Sequence, residues 1–157
     1  MGTRSRIGVM HGDKVKSVYC HWDGYLDHNG KILQAHYDSA KANNLVALGD
    51  LSSLRPNIGE KHAFSKHDTP GIEVRVHNED WCSFYGRDRG EKDIEFQVAH
   101  TFEEFLEQCY GCGAEYYYIM KDGVWYCGDT YGTTALSTKL TLLSEALVLE
   151  EILDEQA

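Results

Sequence analysis

The chain has 157 residues, 42% of them hydrophobic and 25% charged, and its 15 Lys and Arg against 25 Asp and Glu give a formal net charge of −10. That length fits one domain, 1–157, and the composition excludes disorder and a membrane span, while the basic start Met1-Gly-Thr-Arg-Ser-Arg6 lacks the apolar stretch of an export signal. The acidic balance also excludes nucleic-acid binding through a broad basic face, because such affinity comes mainly from neutralised phosphates.

The first element reads as a β-hairpin. Ile7, Val9 and His11 alternate with Arg6, Gly8 and Met10, Gly12-Asp13-Lys14 turns, and Val15–Trp22 continues in a β-prone run. After the breaks at Asp23-Gly24 and Asn29-Gly30, the residues Ile32, Leu33, His36 and Tyr37 fall at helical spacing. A second short helix is expected from an Asp38 or Ser39 cap, with Ala42, Leu45, Val46 and Leu48 inward and Gly49 as its stop. Residues 50–71 read as a long irregular connection, a length that in compact domains often carries function.

Ile72, Val74 and Val76 then alternate with Glu73 and Arg75 as a strand, and Trp81–Tyr85 and Ile94–Val98 are expected to be two more. Gly86-Arg-Asp-Arg-Gly-Glu-Lys-Asp93 between them reads as a charged loop. Thr101 and Glu104 form a T-x-x-E capping box that opens a helix burying Phe102, Phe105, Leu106 and Cys109 and ending at Gly111 or Gly113. Tyr116–Met120 and Val124–Gly128 form a hairpin around Lys121-Asp122-Gly123, and an amphipathic helix follows from about Thr141. About seven strands and three or four helices, unevenly interleaved, predict an α+β fold on a mainly antiparallel sheet.

Several separated motifs carry a resemblance. Met1-Gly-Thr-Arg-Ser5, Tyr19-Cys-His-Trp-Asp-Gly-Tyr25, Asn29-Gly-Lys-Ile-Leu33, Leu48-Gly-Asp-Leu-Ser-Ser-Leu-Arg-Pro56, Ile58-Gly-Glu-Lys-His62, Phe84-Tyr-Gly-Arg-Asp-Arg-Gly-Glu91 and Lys121-Asp-Gly-Val-Trp-Tyr126 span most of the chain. Together they resemble an uncharacterised family of small proteins encoded by tailed bacteriophages. The resemblance implies an accessory viral protein in the host cytoplasm, of the kind that binds and blocks a host or antiviral-defence factor. It supplies no cofactor and no catalytic residues.

Two clusters are candidate ligand-binding sites. His21, Trp22, Asp23 and Tyr25 at a strand end combine stacking surfaces with hydrogen-bonding groups, or else divide between two sheet faces and a turn. Arg87 and Arg89, flanked by glycines, have the chemistry to clamp a phosphate or carboxylate, with Arg4 and Arg6 as additions if the sheet brings them near. Against that, Asp88, Glu91 and Asp93 cancel the charge of Arg87, Arg89 and Lys92, as in a solvated loop of weak ion pairs.

Cys109-Tyr-Gly-Cys112 is half of a zinc site, and His100, Cys82 or Cys127 are the candidates to complete it; buried free thiols are the simpler reading of an odd count of five cysteines. The eight histidines, among them His62 and His67 in the long connection, show no metal-binding spacing. Tyr116-Tyr-Tyr118 with Trp125 and Tyr126 makes both faces of its hairpin aromatic, which suits cross-strand packing or a protein interface. Residues 141–157 carry Glu145, Glu150, Glu151, Asp154 and Glu155 and no Lys or Arg, and their helix has either the sheet or a copy of itself to pack on.

No catalytic or metal residue is assigned and no cofactor is expected. The leading reading is an accessory inhibitor that binds a host or defence protein by its surface, in a counter-defence role. The alternatives are sequestration of a small anionic ligand such as a signalling nucleotide, and a metal-dependent hydrolase.

Overall fold

A computed structural model of the protein describes residues 2–68, 74–130 and 140–156. Among them, eight strands form one mixed sheet: β1 (Ser5–His11), β2 (Lys14–Cys20), β3 (Leu51–Ser53), β4 (Ser83–Phe84), β5 (Gln97–Ala99), β6 (Tyr116–Lys121), β7 (Val124–Asp129) and β8 (Thr141–Leu142). Their order is β4-β3-β2-β1-β6-β7-β8, with β5 also on β2. The α+β expectation holds, with parallel pairing at β1–β6 and β2–β3 and antiparallel pairing elsewhere.

Five helices accompany it: α1 (Lys31–His36), α2 (Ser39–Ala47), α3 (Tyr85–Arg89), α4 (Phe102–Cys112) and α5 (Leu143–Gln156), with a wide π-helical turn at Leu26–Gly30 before α1. The cap signals act as read. Asp38 accepts the Lys41 N–H at 2.8 Å, Thr101 Oγ1 accepts the Glu104 N–H at 3.1 Å, and Gly113 closes α4 with φ 75°. Asp122 and Gly123 both take positive φ, as a two-residue hairpin turn of matching twist requires.

Alternation along β6 sends Tyr117 and Ile119 to one face, where they meet Phe105, Leu106 and Cys109 of α4 together with Val15 and Ala99. Tyr118 and Met120 go to the other, among Ile7, Val9, Val18, Leu33, Leu45 and Leu143. Tyr117 and Tyr118 are both fully buried, and the Tyr118 hydroxyl donates to the Gly24 carbonyl at 2.6 Å. The tyrosine hairpin is therefore core on both sides, which removes it as an exposed interface.

From β3 to β5 the strand expectations hold only in part. Ile72 and Glu73 lie outside the described residues, and Arg75 makes one isolated bridge to His62. Only Ser83–Phe84 of Trp81–Tyr85 is strand, because Tyr85 opens α3, which replaces the first half of the expected Gly86–Asp93 loop. The strand expected at Ile94–Val98 is shorter and later, Gln97–Ala99, because Ile94 packs against Gly49 and Gly86 rather than continuing along β2.

Candidate functional site

Residues of β3 and of the described parts of the connection from β3 to β4 line a cleft of about 340 Å³ together with Trp22 and Ser83. Among the described residues, rings line it at Trp22, Phe64 and Trp81, hydroxyls at Ser52, Ser53, Ser65 and Ser83, and basic groups at Arg55, Lys66, His67 and His77, with Glu79 as the one carboxylate. The volume is at the lower end of small-ligand pockets, which typically run from about 300 to 1,000 Å³. A larger hollow of about 490 Å³ opens between α1 and the β6–β7 hairpin, but among the described residues His36 is its sole basic side chain, and its Trp125 indole is committed to the Tyr37 carbonyl at 2.9 Å.

A buried polar knot holds the cleft wall in place. The Asp88 carboxylate, fully buried, accepts the backbone N–H of His62 at 3.1 Å and of Phe84 at 2.8 Å. Arg87 lies on it with Nε and Nη2 at 3.0 and 3.2 Å, donates Nη1 to the Gly59 carbonyl at 3.1 Å, and donates Nη2 also to Cys82 O at 3.0 Å. His62 is buried: Nε2–H donates to the Cys82 carbonyl at 2.9 Å and Nδ1 accepts the Asn78 N–H at 3.3 Å. Its ring stacks near His77 and edge-on to Trp81, with centroids 5.2 and 5.6 Å away. Gly59 is required under that indole, since a Cβ there would meet Trp81 at 2.2 Å and its φ is +69°.

Within the cleft several groups keep capacity for a ligand. Arg55 Nη1 reaches the Leu54 carbonyl at 3.2 Å and His28 Nε2 at 3.3 Å, and among the described residues it pairs with no carboxylate. His77 Nδ1 donates to the Ala63 carbonyl at 2.9 Å. Trp22 is 42% exposed.

The residues singled out from sequence are brought only partly together. Trp22 joins the cleft and also borders a neighbouring hollow containing His21, Arg4 and Glu115. Tyr19 and His21 share a face, as in the packing reading of that motif, with Tyr19 Oη 2.7 Å from His21 Nδ1. Burial pushes the Tyr19 hydroxyl up to about 12 and lowers the His21 pKa, the latter with help from the Arg4 guanidinium. Asp23 takes a left-handed turn, and its carboxylate accepts from Tyr25 Oη at 3.4 Å and raises the Tyr25 pKa. Asp23 and Tyr25 are outside the cleft lining.

Arg87 is built into the knot and has no donor directed to a ligand in common with Arg89. Arg89 is exposed, pairs with Glu91 at 2.8 Å, and stacks over Phe64 and Tyr85 at 4.5 and 5.2 Å, so it reaches the cleft edge through Phe64. The sheet does not bring Arg4 and Arg6 to this patch: Arg4 lines the neighbouring hollow with His21 and Glu115. Arg6 is 2% exposed beneath α4 and donates to Ser17 Oγ at 2.9 Å, Ser17 O at 3.0 Å and Cys112 Sγ at 3.7 Å. Among the described residues, no three His, Cys, Asp or Glu side chains converge as metal ligands, and no helix is long and apolar enough to cross a membrane.

Sequence reasoning missed Arg55, Lys66, His77, Trp81 and the serines as partners, although the length of the 50–71 connection was a signal for the region. No protein-family model, curated protein or solved structure matches the chain.

Proposed function

We propose that the protein is an accessory binding protein that captures a small anion bearing a planar ring, of mononucleotide class, in the cleft beside Trp22 and Trp81. The observation that carries this reading is the reversal of charge: in a chain of net −10, Arg55 and Lys66 share one concavity in which, among the described residues, Glu79 is the one carboxylate. Basic groups in a low-dielectric recess concentrate anions even on an acidic protein. Arg55 offers a bidentate fork to phosphate, Lys66 a mobile point charge, and the serine hydroxyls complete hydrogen bonds to sugar or phosphate oxygens. The indoles of Trp22 and Trp81 supply a stacking surface that accepts any base, as base–aromatic stacking is tolerant of sequence.

Binding of this kind forms no covalent bond. In the phage setting that the sequence resemblance implies, capture would lower the free concentration of a signalling nucleotide and so serve counter-defence. Isothermal titration with ribonucleoside mono- and triphosphates, cyclic dinucleotides and inorganic phosphate tests it. A nucleotide should bind more tightly than phosphate alone, and Arg55→Ala and Trp22→Ala should each weaken it about tenfold or more. Flat titrations across the panel would refute the reading.

A further inference from the structure

A second surface, on the side of the sheet that carries α1 and α2, has the opposite chemistry. The inner side of α5 is anchored: Leu143 is fully buried, and Ala146 and Leu147 pack on the core that holds Tyr118 and Leu33. Val148, Leu149, Ile152 and Leu153 face outward at 55, 58, 43 and 63% exposure. The pairs 148/152 and 149/153 are each four residues apart, so they stand in two adjacent columns on one helix face. Val148 and Leu149 also line a shallow hollow of about 480 Å³ with Ser144 and Glu145. A surface helix normally shows one apolar stripe. This helix has two, and among the described residues only the first is covered.

The charges around the open stripe decide what fits it. Glu145, Glu151 and Glu155 are exposed on the same helix, and residues 141–157 contain no Lys or Arg. A second copy laid along α5 in either direction would set carboxylates against carboxylates, which is unfavourable at helix–helix flanks. An anionic bilayer is repelled for the same reason. An amphipathic helix with a leucine-type stripe and flanking Lys or Arg satisfies both features at once, burying the four side chains while pairing the acids. We infer that the outer face of α5 docks a basic amphipathic helix of a partner protein. This surface is separate from the cleft and independent of what the cleft holds.

The test uses three fluorescent 14-residue peptides: a Leu/Lys amphipathic helix, a Ser/Lys version without the apolar stripe, and a Leu/Glu version of reversed charge. Anisotropy at physiological salt should show binding of the Leu/Lys peptide, with the other two at least about tenfold weaker. Leu149→Ser with Leu153→Ser, and separately Glu151→Lys with Glu155→Lys, should each weaken the Leu/Lys peptide about tenfold, while Arg55→Ala leaves it unchanged. These positions are exposed, so the fold should be retained, as circular dichroism checks. The inference is overturned if the Leu/Lys peptide does not bind, if the Ser/Lys peptide binds equally well, or if the serine variant is indistinguishable from wild type. It is also overturned if sedimentation finds a dimer that the serine variant disperses, because the stripe would then belong to a second copy.

Discussion

Asp88 Oδ1 accepts the backbone N–H of His62 at 3.1 Å, joining α3 to the connection between β3 and β4 across 26 residues. The same carboxylate neutralises Arg87, so a single buried group fixes two backbone segments and one guanidinium. Removing one partner of a buried pair strands the other, at a cost of about 3–5 kcal/mol. Asp88→Ala is expected to lose that much in urea denaturation, and Arg87→Ala a comparable amount. The double variant should lose less than the sum, because the two substitutions remove one shared network.

Gly59 supports the cleft from beneath Trp81. Alanine there combines a left-handed backbone with a methyl group at 2.2 Å from the ring. The backbone strain alone is on the order of 1–3 kcal/mol. Gly59→Ala should lower stability by at least about 1 kcal/mol and change the near-ultraviolet dichroism as Trp81 is displaced. An unchanged spectrum would mean that the indole is not held as described.

The five thiols are all free, and only Cys112 is not buried. Burial pushes the Cys20, Cys109 and Cys127 thiols up to about 12 and raises that of Cys82, so none of these four is a ready thiolate. Ellman's reagent at pH 8 should titrate one thiol in the native protein, lost in Cys112→Ser, and five in urea.

His21 makes stability depend on pH. Desolvation, then the Arg4 guanidinium, hold its pKa below the ordinary 6.5, so the unfolded chain takes up the proton first. Its contribution is whole above pH 6.5 and is lost as pH falls through the lower folded value. Between pH 7.5 and 5, wild type should lose more stability than His21→Gln, by less than about 1 kcal/mol since the ring is partly exposed. Equal slopes in paired urea titrations would contradict this.

Elements with local signals were readable in the chain: the capped α2 and α4, the hairpins turning at Gly12 and Asp122-Gly123, and the alternation that buries Tyr117 and Tyr118 on opposite faces. What sequence could not provide was the partnership of residues distant along the chain. Arg87 and Arg89 look equivalent in Gly-Arg-Asp-Arg-Gly, yet α3 turns Arg87 and Asp88 inward and leaves Arg89 outside, a choice made by the amides of His62 and Phe84. Arg55 and Trp81 are 26 positions apart with no spacing rule connecting them, yet both line one cleft, beside the isolated bridge of Asn57 to Trp81. The open stripe of α5 was hidden because apolar residues surround that helix, so periodicity alone does not tell the covered side from the open one.

The most direct measurement of cleft binding follows the three indole N–H resonances in a nitrogen-15 spectrum during nucleotide titration. Trp22 and Trp81 line the cleft, whereas Trp125 is buried and bonded to the Tyr37 carbonyl. Saturable shifts of the Trp22 and Trp81 signals with Trp125 unmoved, abolished in Arg55→Ala, are expected. Shifts centred on Trp125, or none at any nucleotide tested, would contradict capture in this cleft.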